Sequence, residues 1–149
     1  MIELVLNNCT KGRVPSRAVC ARICEEAQHA FKLPKGVAAE VGITFVNATR
    51  IRTLNRNRRG IDTPTDVLSF PLHMDAQKGY TSVLLGDLFI CPDVVGEHAK
   101  ESGLSVRDQM QWTIVHGLLH LAGYDHERST ADEKTMRAAE KKILNRLST

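Results

Sequence analysis

The sequence predicts an α+β fold, a single layer of about four strands packed with helices, and three observations predict it. Val37, Ala39, Val41, Ile43 and Phe45 alternate strictly, the period of a strand with one buried face. Val19, Ile23, Ala27 and Phe31 recur every four residues, the pattern of an amphipathic helix. Two pairs with capping spacing, Ser105 with Asp108 and Ser129 with Asp132, then open two long helical stretches. A length of 149 residues with 42% hydrophobic and 25% charged content suits one domain, 1–149, around one core. That balance excludes a disordered or collagen-like chain.

The elements follow in order. Residues 2–6 are apolar and β-compatible, and residues 16–31 form the first helix, ended near Pro34. After the alternating strand, 48–58 reads as a helix with Ile51 and Leu54 as its apolar contacts. Residues 65–70 make a short strand between Pro64 and Pro71, and 82–90 a longer one interrupted at Gly86-Asp87. Pro92 opens a helix over 92–101, and a long helix over 106–121 stops at Gly123. The last helix carries Met136, Ala139, Ile143 and Leu147 on one face. Ile114 and Leu118 are expected in the core. No run of 18 apolar residues occurs, and Met1-Ile2-Glu3-Leu4 lacks a leader pattern, so a cytoplasmic address with no membrane association is expected.

The formal charge of +3 is too small to argue for a polyanion partner, but its distribution is uneven. Arg50, Arg52, Arg56, Arg58 and Arg59 fall within eleven residues that contain no acid. They form either a solvated basic helix face or a patch turned toward phosphates. Cys9, Cys20, Cys24 and Cys91 lack the paired spacing of a zinc ribbon; Cys20 and Cys24 could share a metal, but read better as small buried hydrophobes in a reducing compartment.

The most informative stretch runs from His116 to His126. His116 and His120 are one helical turn apart, and Gly123 permits the left-handed turn that brings His126 back to the same point. Three imidazoles with a fourth position for water make a catalytic zinc-type site, with Ni²⁺ or another divalent transition metal also suited. The spacing also matches that of metzincin peptidases, whose general base follows the first His; here that residue is Gly117. Asp125 and Glu127 flank the third ligand as orienting acceptors or as a general base. Asp87, an acid in an apolar strand, must sit at a strand end or be bonded within a site.

Taken with Thr65-Asp66-Val67-Leu68-Ser69-Phe70 and Leu85-Gly86-Asp87, in that order and spacing, the His block resembles the YbeY family of metal-dependent endoribonucleases. The resemblance spans most of the chain. It implies a mixed sheet flanked by helices, with the His-bearing helix over it, and one Zn²⁺ held by His116, His120 and His126. It also implies a cleft in which Arg59 supports cleavage of single-stranded RNA, with small-subunit rRNA 3′-end maturation and ribosome quality control as the setting. Arg59, His116 and Asp125 form the expected catalytic set. The expected partners are rRNA precursors, the small ribosomal subunit and assembly factors, with no DNA. Where the family often has an aromatic residue, this chain has Arg58. Few aromatic residues are available for stacking, so backbone recognition with weak sequence specificity is expected. Two other readings stay open: a metallopeptidase-like hydrolase without its base, and a non-catalytic ribosome-assembly module with a structural metal.

Overall fold

The alternating segment becomes the inner strand β2 (Ala38–Phe45), which buries Ala39, Val41, Ile43 and Phe45 on one side. A computed structural model describes residues 2–72, 82–125 and 127–149 of the chain. β2 lies between β1 (Ile2–Asn8) and β4 (Ser82–Ile90), parallel to both, and β3 (Val67–Pro71) adds an antiparallel edge. The sheet is therefore mixed, in the order β1-β2-β4-β3. Gly86-Asp87 does not interrupt β4. A register shift opposite Glu40 and Val41 absorbs the irregularity and leaves Leu85 as the extra residue.

The helices are α1 (Arg17–Ala27), α2 (Ala48–Arg59), α3 (Pro92–Ser102), α4 (Val106–Leu121) and α5 (Thr130–Leu147). The serines predicted as caps do cap: Ser105 accepts from Asp108 N–H and Ser129 from Asp132 N–H. The first helix ends earlier than expected, with 28–31 continuing as a tighter 3₁₀ turn. Its buried face is Cys20, Ile23, Cys24 and Ala27, while Val19 points outward. A strict four-residue repeat drifts by about 40° per step on a 3.6-residue helix, so the stripe beginning at Val19 cannot all meet the core. Cys20, Cys24 and Cys91 are buried and Cys9 is exposed, all as free thiols.

The main core lies on one face of the sheet, where α1, α4 and α5 pack; Ile114 and Leu118 are fully buried there, as expected. A smaller cluster joins Ile51 of α2 to Leu68 of β3 and Val94 of α3. From Gln109 onward, helix α4 is buried on nearly every side except a stripe bearing Trp112, His116 and His120. Gly117 lets it lie this close to the sheet. A Cβ there would stand 3.0 and 3.1 Å from the two methyls of Leu88 and 3.1 Å from Val67. Ser69 Oγ donates to the Gly117 carbonyl at 3.2 Å, tying β3 to the same point.

Gly117→Ala should destabilise the protein by about 1–3 kcal/mol through overpacking. Arg50→Ala, at an exposed site, should stay within about 0.5 kcal/mol; urea denaturation of both variants checks the contrast. Burial raises the Cys20 thiol to about 11 and the Cys24 thiol to about 12, from an ordinary 9.0. The native state therefore holds these protons more tightly than the unfolded chain. Their contribution to stability should be complete below pH 9.0 and fall away as pH rises through about 11–12, which urea midpoints taken across that window would record.

Candidate metal centre and its cleft

One turn of α4 brings His116 Nε2 and His120 Nε2 to 3.1 Å, with the rings edge to face at 78°. Two imidazoles bound to one tetrahedral zinc at about 2.0–2.1 Å would hold their nitrogens about 3.3–3.4 Å apart, so the pair fits a shared ion. Among the described residues no third metal-binding side chain joins them. His126, the expected third ligand, lies outside the described residues. Beyond α4 the chain turns at Gly123, whose φ of +97° is a conformation that L side chains rarely adopt. Tyr124 N–H bonds back to the Leu119 carbonyl at 3.0 Å, and Asp125 Oδ1 accepts from Glu127 N–H at 2.9 Å. Asp125 Oδ2 lies 3.7 Å from the Arg128 guanidinium, which also reaches Asp132 at 3.4 Å. Asp125 thus shapes the loop while lining the cleft.

His116 has a partner that sequence reading missed. Its Nδ1 lies 2.7 Å from Glu140 Oε1 on α5, and Glu140 Oε2 accepts from Trp112 Nε1–H at 3.2 Å. The Trp112 ring stacks on the imidazole, with centroids 4.6 Å apart and planes 22° from parallel. Glu140 is only 8% exposed and shares the buried face of Met136, Ile143 and Leu147. An acid at a core-facing position was the available signal.

The two histidines open on a cleft of about 450 Å³, whose lining includes Arg58 and Arg59 from α2 and residues of the 65–69 segment. The arginine cluster divides between the two readings left open by the sequence. Asp62, just past the acid-free stretch, binds Arg52 at 3.0 Å and lies 3.8 Å from Arg56; the Arg52 hydrogen bond holds its carboxyl below the ordinary range. Arg58 and Arg59 instead line the cleft, and Arg58 sits 4.4 Å over the Phe70 ring. Asn55, buried on α2, donates to the Thr63 carbonyl at 2.9 Å and anchors the segment between α2 and β3.

Asp66 builds the cleft wall. Its Oδ1 accepts from Val67 N–H at 2.8 Å, and its Oδ2 lies 3.4 Å from His98 Nδ1 of α3. Asp87 is exposed, with its carboxylate over Gly42 of the neighbouring strand, and it does not line the cleft.

The family model described as Endoribonuclease YbeY matches residues 7–148. An Endoribonuclease YbeY of Sulfurihydrogenibium sp. is 44% identical over 109 residues, covering 73% of this chain and 70% of that protein. One from Geobacillus sp. strain WCH70 is 40% identical over 149 residues, covering 94% and 90%. The solution structure of TM1509 from Thermotoga maritima superposes with a TM-score of 0.59 at 27% identity, covering 99% of this chain and 92% of that one.

The turn at Gly123 generates a direct check. Gly123→Ala places a side chain at positive φ and should cost about 1 kcal/mol of stability, read as a lowered urea midpoint.

Proposed function

The chain belongs to the YbeY family of endoribonucleases, and from that premise we propose that its cleft cleaves single-stranded RNA in rRNA processing, with His116, His120 and His126 holding one zinc or similar divalent ion. The observation that carries the site assignment is the 3.1 Å approach of two imidazole nitrogens inside a cleft also lined by arginines. When bound, the ion supplies Lewis acidity toward a phosphoryl oxygen and a nucleophile at neutral pH. Arg59 offers a planar fork to the phosphate and stabilises charge that develops on it. Arg58, braced on Phe70, adds a second cation for the RNA backbone. Asp125 orders the loop beyond α4 through Oδ1 and lines the cleft, where it is our candidate general base. Recognition through phosphates makes weak sequence preference the expected behaviour.

A peptidase reading is not favoured. The peptidase base would have to occupy position 117, where even a Cβ presses on Leu88 and Val67. Among the described residues no helix is long and apolar enough to cross a membrane. We place the activity in the cytoplasm, where free thiols stay reduced, acting on rRNA precursors at the small ribosomal subunit with its assembly factors.

Arg59→Ala should lower cleavage of a defined single-stranded RNA by about 100-fold while leaving the fold intact. His120→Ala or chelation of stringently purified protein should abolish cleavage, with gel assays and circular dichroism as the readouts. Undiminished cutting by chelated protein or by the His120 variant would contradict the assignment. Cleavage absent from the wild type but present in a nuclease-spiked control would support the assembly-module reading instead.

A further inference from the structure

Position 140 should be apolar by every packing criterion. It lies on the face of α5 that also buries Met136, Ile143 and Leu147, and a carboxylate taken from water there is costly unless it is fully bonded. Both Glu140 oxygens are in fact used: one at 2.7 Å from His116 Nδ1, the other accepting the Trp112 indole N–H at 3.2 Å. Building on the reading of His116 as a metal ligand, we propose that Glu140 is a positioning residue that sets the tautomer and ring orientation of His116, and that Trp112 holds both in place.

The chemistry follows from the donor inventory. A carboxylate only accepts, and a neutral imidazole carries one N–H, so the 2.7 Å contact puts that proton on Nδ1. Nε2 is then left with its lone pair, 3.1 Å from His120 Nε2, as an ion shared by the two would require. Ring rotation is limited twice more. The indole lies against the imidazole at 4.6 Å and 22°, and its N–H keeps the carboxylate from turning away. An acid from α5 thereby prepares a ligand on α4, and its bonds to α4 replace the water lost on burial. Such outer partners raise ligand basicity and fix orientation.

The alternative is a buried polar contact that only joins α4 to α5. Two variants separate the roles: Glu140→Gln keeps the shape, and Glu140→Leu keeps the bulk but leaves His116 Nδ1 without an acceptor from α5. Long-range ¹H–¹⁵N spectra of the metal-free protein report the His116 tautomer, and chelator competition reports zinc affinity. Wild-type His116 should show the Nδ1–H form. Glu140→Leu should lose that form and weaken zinc binding by about 10- to 100-fold, with Glu140→Gln between the two. A folded Leu variant with an unchanged tautomer and unchanged affinity would overturn the positioning role and leave the metal reading intact. Wild-type protein that shows the Nδ1–H form yet binds no zinc would overturn the metal reading, and with it the part of the proposal that concerns affinity.

Discussion

At Gly117, α4 lies so close to the sheet that a Cβ would press on Leu88 and Val67, and the geometry of the site depends on that closeness. A helix held this near the sheet is enclosed by β3, β4 and the neighbouring helices, leaving one stripe open. Trp112, His116 and His120 occupy that stripe at successive four-residue steps, and β3, whose Ser69 is bonded to the Gly117 carbonyl, lines the same cleft. The same constraint separates the chain from helix-borne peptidase sites. Where those need a carboxylate, this fold has room for a hydrogen atom.

Electrostatics divides the remaining work. Asp62 pairs with Arg52 and Arg56 on the outer side of α2, while Arg58 and Arg59 carry positive charge into the cleft. Asp125 and Asp66 spend hydrogen-bonding capacity on the backbone of the two segments that border the histidines. Glu140 lies behind His116 rather than in front of it, which separates holding the imidazole from meeting substrate. The resulting site has imidazoles on a buried helix and exposed cations from α2 lining the same cleft, a division suited to a phosphodiester.

Much of this was legible from sequence because it follows from local periods. The alternation of β2, the capping serines, the one-turn spacing of His116 and His120 and the stop at Gly123 are short-range signals, and the backbone obeys them. What was not legible depends on contacts between segments far apart in the chain. Glu140 meets His116 across 24 residues, and nothing local marks it except an acid where an apolar residue was due. Val19 faces outward because a four-residue repeat drifts around a helix, while the buried stripe uses two cysteines as core residues. The division of the arginines needed Asp62 folded back along α2, and Gly86-Asp87 looked like a break because a register shift in the paired strand was invisible.

The central claim is that imidazoles at 116, 120 and 126 share one ion whose remaining face opens on the cleft. X-ray absorption at the zinc edge of the loaded protein measures this directly. Three imidazole nitrogens at about 2.0–2.1 Å with one oxygen from solvent is the predicted shell, reduced by one nitrogen in His120→Ala. A shell with no imidazole, or one closed by a fourth protein ligand, would contradict it.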